Sequence, residues 1–265
     1  MKPQSRIIAA LGLATALACS ASAFAHEYNA SQGSWFMAPG TIGPGITIGA
    51  PAAYGANWGQ AFIGAGGATR TPGRNKTDGS LVAGVGLGNA DKYVGVELDA
   101  SIISVDTADG GFGDDGNFAV KVHRNLPWNA AVAVGTMNTG RWGHAKNVPE
   151  TYYASYTQVV FANPNSMVNR MPVFATIGYG NGTFQRLNGL TKTNMLGVFG
   201  ALAWQFIPRA SVIADYSSET LNAGFSVIPF KAIPISLMVG AADLTRRFSS
   251  KQAFIAALGY VFNFS

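Results

Sequence analysis

The chain has 265 residues and a formal charge of +5, from 18 Lys and Arg against 13 Asp and Glu, yet charged residues make up only 12% of it while glycine occurs 33 times. The basic excess is mild and forms no Lys/Arg run or basic stripe interleaved with aromatics, which argues against a nucleic-acid partner. Few charges and many glycines suit closely approaching strands better than a helical globule, because glycine is a poor helix former.

At the N-terminus, Lys2 and Arg6 precede the apolar run Ile7 to Ala18, and Ala23-Phe24-Ala25 gives a small-x-small cleavage pattern before His26. Residues 1–25 therefore read as a secretory signal peptide. The run is shorter than the roughly 20 apolar residues of a spanning helix. Cys19 after Ala16-Leu17-Ala18 leaves a lipoprotein signal as the alternative. Cleavage after Ala25 removes that only cysteine, so the mature chain is expected to fold without a disulfide. It also leaves 16 basic side chains against 13 acidic ones. No later stretch has the length of an apolar spanning helix: Met195 to Trp204 is the longest clean one, and Val227 to Ala242 is interrupted by Pro229, Lys231 and Pro234.

Residues 26–56 are rich in Gly, Ala and Pro without sustained periodicity, and read as an extended segment that is either a periplasmic tail or a plug inside the folded body. The body, 57–265, contains twelve strand-like runs, with ten or fourteen as neighbouring counts. They lie near 58–69, 80–89, 92–104, 116–125, 128–138, 150–162, 171–182, 194–206, 209–217, 220–228, 234–244 and 251–265. Their lengths fit tilted strands crossing a bilayer, which take about 9 to 11 residues. Connections alternate long and short, as in "RTPGRNKTDG", "NADK", "DTADGGFGDDG" and "NLPWN"; "SSET" is short where a long one is due. Short turns on one side and long loops on the other, over an even number of antiparallel strands, describe an outer-membrane barrel with both termini in the periplasm.

The strands alternate accordingly. Val94, Val96, Leu98, Ala100 and Ile102 are predicted to face lipid, with Gly95, Glu97, Asp99 and Ser101 inside. Phe118, Val120 and Val122 alternate with Asn117, Lys121 and His123. Leu221, Ala223, Phe225 and Val227 oppose Asn222, Gly224 and Ser226. Rings gather toward strand ends (Tyr152, Tyr156, Tyr179, Trp204, Phe206, Tyr216, Tyr260, Phe262), as in interfacial girdles. Hydrocarbon leaves backbone polar groups no water, so such strands must close into a barrel. The fold class is all-β, a closed antiparallel up-and-down transmembrane β-barrel. Small residues at Gly64, Gly66, Gly84, Gly86, Ala131, Ala133 and Gly135 would either widen its lumen or accommodate the N-terminal segment.

The chain ends on "AFIAALGYVFNFS", with aromatics at the alternate positions Tyr260, Phe262 and Phe264. This last strand resembles the assembly signal of bacterial outer-membrane β-barrel proteins, a porin-like superfamily, although Ser265 follows the final ring. The resemblance covers roughly 57–265. It implies a Gram-negative outer-membrane location, contact with lipid and lipopolysaccharide, and recognition by the barrel-assembly machinery. A fainter similarity, over "DYSSETLNAGFSVIPFKAIPISLMVGAADLT", is to barrels associated with exopolysaccharide export.

Candidate functional side chains are the predicted lumen charges Glu97, Asp99, Lys121, His123 and Asp215, either a stiffening charge network or a pore lining. Basic loop residues (Arg70, Arg74, Lys76, Arg141, Lys146, Arg246, Arg247 and Lys251) are candidates for lipopolysaccharide phosphates. Asp106, Asp109, Asp114 and Asp115 lack EF-hand spacing and read as a solvated loop rather than a metal site. "GVGLG" has no following helix to present to a phosphate. No G-x-S-x-G or H-E-x-x-H occurs, and His144 has no neighbouring serine motif, so no catalytic residues and no cofactor are expected. Passive diffusion of small solutes is the expected function. A non-conducting structural or export-associated barrel is the alternative, and a soluble exported β-sandwich that binds carbohydrate is the rival from another class.

Overall fold

A computed structural model describes residues 43–69, 77–103, 112–166, 168–185, 187–188, 191–192, 195–217, 219–247 and 252–264. Their strands are β1 (Gln60–Ala68), β2 (Asp78–Gly88), β3 (Gly95–Ile102), β4 (Gly116–Leu126), β5 (Ala130–Trp142), β6 (Thr151–Phe161), β7 (Pro172–Gly180), β8 (Leu187–Asn188), β9 (Thr191–Lys192), β10 (Gly197–Ile207), β11 (Ala210–Ser217), β12 (Thr220–Val227), β13 (Ile235–Ala242) and β14 (Ala253–Asn263). β8 and β9 form a small separate hairpin, and the other twelve close into one barrel in which each strand pairs antiparallel with its neighbours in sequence.

Closure is made by β1 and β14, paired from Gln60 opposite Asn263 to Ala68 opposite Ile255. Closure removes both edges, which would otherwise carry unpaired donors and acceptors. The alternation over the last strand is as expected: Ala253, Ile255, Ala257, Gly259 and Val261 are buried, whereas Phe254, Ala256, Leu258 and Phe262 are exposed. The same holds on β3, where Glu97 and Ser101 are buried and Leu98 and Ala100 exposed. Around the described barrel, every strand position that is exposed carries an apolar, aromatic or glycine residue except Asn263 at the end of β14. In a closed barrel the exposed face is the outer one, so the outer wall is predominantly apolar, with Arg124 and Gln158 as half-buried polar side chains at outward positions toward the β4–β5 turn.

At the β4–β5 end of the barrel the chain turns through Trp128 and Asn129, both in the left-handed region (φ 63° and 61°), the pairing of signs that matches the twist of a tight hairpin. The fifth strand runs to Trp142, past the expected limit at 138, because the register shifts opposite Gly116, Phe118 and Val120 let it continue beyond Asn138. What read as a long loop is thereby shortened to a 3-10 turn over Gly143–Asn147 and the approach to β6. A second 3-10 turn, Gly182–Phe184, follows β7.

Candidate functional site: the barrel interior and residues 43–57

Residues 43–57 run inside the barrel, and almost all of them are buried. Ile46, Ile48 and Tyr54 join Phe62, Phe174, Ile213, Met238 and Ile255 from the wall in one apolar cluster. In this core, side chains from the wall meet side chains from a central segment.

One polar anchor lies on β3 and β4. Glu97 and Lys121 are paired positions, and Lys121 Nζ is 2.8 Å from Glu97 Oε1 with the two side chains 4% and 0% exposed. Lys121 also donates to the Tyr54 carbonyl at 3.2 Å, and Glu97 Oε2 accepts the Ala56 N–H at 2.8 Å. His123 Nε2 lies 3.0 Å from the Ala56 carbonyl, which can only accept, so the ring carries its proton there. Its Nδ1 is buried without a partner. Asp99 shares this face and reaches over Gly84; its Oδ1 is buried and makes no hydrogen bond. Below these, the chain approaches β1 beside β2: Trp58 N–H donates to the Gly88 carbonyl, and a Cβ at Gly86 would stand 2.2 Å from the Asn57 carbonyl oxygen. Glycine at 86 therefore opens the wall for the segment's backbone, which resolves the choice left by the small-residue pattern at that position.

The second anchor is on β11 and β12, and β11 lies six strands from β3 in either direction around the barrel. Asp215 Oδ2 accepts the backbone N–H groups of Ile48, Gly49 and Ala50 at 3.1, 3.0 and 2.9 Å. Its Oδ1 accepts from Ser217 Oγ and Asn222 Nδ2, both at 3.0 Å. Four residues lower on β11, a drop of about 13 Å at strand rise, Ser211 Oγ donates to the Gly45 carbonyl and Ser226 Oγ on β12 accepts the Gly45 N–H. Between the two walls, Ala53 N–H donates to Thr157 Oγ1 of β6, and the Tyr54 hydroxyl to the Asn129 carbonyl. The segment thus leaves β1, crosses the full width of the barrel, crests at Asp215 and descends on the far wall to the end from which it rose.

The crest is covered from the opposite end. Phe184 of the Gly182–Phe184 turn is buried with Ala50, Met137, Tyr153 and Phe199, its ring 4.4 Å from that of Phe199. A Cβ at Gly197 would collide with the Phe184 carbonyl, so the inward fold of this turn depends on a bare α-carbon there. Thr183 supports the turn through hydrogen bonds with Thr151 and Asn138.

Of the predicted lumen charges, Glu97, Lys121 and His123 meet at one anchor with Asp99 beside them, and Asp215 forms the other. The sequence pattern placed Ser226 on the inner face without a role, and did not single out Ser211, Thr157 or Ser217; nothing distinguishes them from other polar residues on inward positions. Of the basic loop residues, Arg141 donates to the Val148 carbonyl, Arg247 pairs with Glu219 at 3.2 Å, and Lys146 and Arg246 are exposed. Arg70, Arg74, Lys76 and Lys251 lie outside the described residues, as do Asp106 and Asp109 of the acidic loop. Asp115 contacts His144. On β14 the Tyr260 and Phe262 rings lie 4.6 Å apart and tilted, and Phe264 meets Trp58 edge-on at 5.8 Å.

No protein-family model matches the chain, and no curated protein matches it. Among solved structures it is similar to KdgM porin, at 10% identity over 76% of this chain and 98% of that one, with a TM-score of 0.46. It is also similar to a mutant porin of Rh. blastica (11% identity, 77% and 99% covered, TM-score 0.31) and to OprB of Pseudomonas putida at low pH (12% identity, 77% and 91% covered, TM-score 0.28). At such identities and scores, the architecture rests on the strand pairing of this chain itself. That pairing is a closed twelve-stranded barrel with an apolar exterior.

Proposed function

We propose that the protein is an outer-membrane barrel whose route for small solutes is held shut by its own residues 43–57. The membrane location is supported by the predominantly apolar outer wall, since an exposed apolar surface of this extent marks a partner or a lipid phase. Exposed Tyr152, Tyr179 and Tyr216 near one rim, with Trp128, Trp204 and Phe262 near the other, suit two headgroup girdles. A signal peptide over 1–25 would deliver the chain to that membrane. In this orientation the exposed Lys146 and Arg246 face surface lipopolysaccharide, and calorimetric titration with lipopolysaccharide tests that contact.

The observation that carries the closed-channel reading is the span of residues 43–57 between Glu97 and Asp215. Both carboxylates are 0% exposed, and both spend an oxygen on the segment's amides. A passage for solutes would need those amides to leave. Single-channel recording in planar bilayers tests this. The wild-type protein is expected to stay near baseline, and a Glu97→Gln/Asp215→Asn double variant to show discrete openings. A wild type that conducts steadily, or a folded double variant that never conducts, would overturn it, the latter leaving a structural barrel.

A further inference from the structure

The outer wall carries charge at one place toward its short-turn end. Among the described strand positions there, Arg124 of β4 is the only charged side chain that faces outward; Val132 of β5 lies opposite it, and Ala130 opposite Gln158 of β6. A cation on a lipid-facing wall must extend its head to the interface. Arg124 does so: its guanidinium donates to the Tyr93 carbonyl in the turn between β2 and β3. That contact uses one of its five N–H donors, and no carboxylate pairs with the group among the described residues. The carboxylate of that turn, Asp91, is held instead by Asn125 on the inner face of β4. We propose that Arg124 binds the phosphate of an anionic phospholipid in the leaflet at the short-turn end. The proposal rests on the outer-membrane reading and names the lipid class that this part of the wall selects.

Three features fit a lipid better than a free anion. The guanidinium is drawn to the level of the turns, where Trp128 and Tyr93 are 82% and 75% exposed, and such rings suit the headgroup layer. Gln158, the other polar side chain at this place, is spent within the protein: its Nε2 donates to the Trp128 carbonyl at 2.7 Å and its Oε1 accepts the Tyr156 hydroxyl at 2.6 Å. Arg124 is thereby left as the group in need of a counter-ion. Toward mid-barrel, the exposed side chains of Val122, Val132 and Val134 continue from Arg124 as an apolar strip, with the small Ala154 paired beside Val134. An acyl chain tethered to a phosphate at Arg124 lies along that strip, which a free phosphate leaves uncovered. A zwitterionic lipid brings its own cation to the phosphate, so a net-anionic headgroup neutralises the guanidinium better.

The test uses the full-length protein in detergent, with dioleoylphosphatidylglycerol as probe. Dioleoylphosphatidylcholine, which has the same chains and phosphodiester but adds a choline cation, is the control. In native mass spectrometry the wild type is expected to retain phosphatidylglycerol about tenfold more tightly than phosphatidylcholine, on the scale of a hydrogen bond to a charged group. Arg124→Gln is expected to remove that preference, and Arg246→Gln, at the long-loop end, to keep it. Equal retention of the two lipids, or an undiminished preference in Arg124→Gln, would overturn the proposal. Displacement of the lipid by inorganic phosphate at matched concentration would also overturn it, leaving a plain anion site. Phosphatidylglycerol with a photoreactive headgroup covers the case in which Arg124→Gln does not fold. Its crosslinks to the wild type should map to residues 93–94 and 124–132, and labelling spread evenly around the rim would count against the site. Insertion into phosphatidylcholine vesicles separates the two readings. A protein that stays dissolved beside the vesicles sinks the outer-membrane reading and the proposal with it; one that inserts but shows no lipid preference sinks the proposal alone.

Discussion

Ala50 donates its backbone N–H to Asp215 Oδ2 at 2.9 Å across 165 positions of sequence. With Ile48 and Gly49 on the same oxygen, this is the densest polar contact between the central segment and the wall. Asp215→Ala would strand three buried amides at once, and Ser217 and Asn222 would lose their acceptor. The expected loss is at least about 3 kcal/mol, since each buried donor left unsatisfied costs about 1 to 3 kcal/mol. Denaturant titration of the refolded barrel, followed by heat-modifiable gel migration, measures it. Limited proteolysis should then cut within residues 43–57, and their burial predicts that the wild type resists it.

At the opposite wall, Glu97 and Lys121 neutralise each other without water. Lys121→Met leaves the Glu97 carboxylate buried without its counter-ion, and Glu97→Gln leaves the buried Lys121 ammonium without its carboxylate. Each single change should cost about 3 to 5 kcal/mol, and the double change less than their sum, because a neutral pair needs no compensation. A double-mutant cycle on unfolding midpoints reads the coupling. Additive losses would mean the pair does not act as a unit.

Gly86→Val puts side-chain atoms where the Asn57 carbonyl now lies. The wall strand is paired on both sides, so the segment is expected to give way. The predicted result is a closed barrel destabilised by about 1 to 3 kcal/mol, the usual cost of overpacking, with residues 43–57 newly open to protease. The same substitution at Ala83, on the outer face of β2, should do neither.

Leu98 is exposed at the middle of β3 and has no polar neighbour on that face. If hydrocarbon surrounds it, Leu98→Arg should cost about 2 to 4 kcal/mol of folding stability in bilayers, as arginine does at a bilayer midplane. In a water-soluble barrel the same change would be neutral or favourable. Folding yield into lipid vesicles distinguishes the two.

Much of this fold was legible from local pattern. Twelve strands appear within a few residues of the expected ranges, because the side-chain period of two reports directly which face each position takes. The final strand from Phe254 to Phe264 is the clearest instance, its rings and small residues sorted onto opposite faces. The limits of β5 were less legible. Its extension to Trp142 depends on register shifts in β4, which involve residues of another strand and leave no periodic trace of their own. The inward placement of Glu97, Asp99, Lys121 and His123 was equally readable, but not their partners, since the backbone of residues 54–56 that they hold has no distinctive side chains to advertise it.

The sequence by itself determined an exterior of hydrocarbon-compatible strands, their approximate number and the sorting of charge to the inner face, since each follows from neighbours along the chain. Whether residues 26–56 were tail or plug stayed open, because Gly, Ala and Pro state a capacity to fit closely and not a place to do so. Only the tertiary structure put residues 43–57 between β3 and β11: a contact between an amide and a carboxylate 165 residues apart exists only once the barrel has closed and brought its opposite walls to face each other.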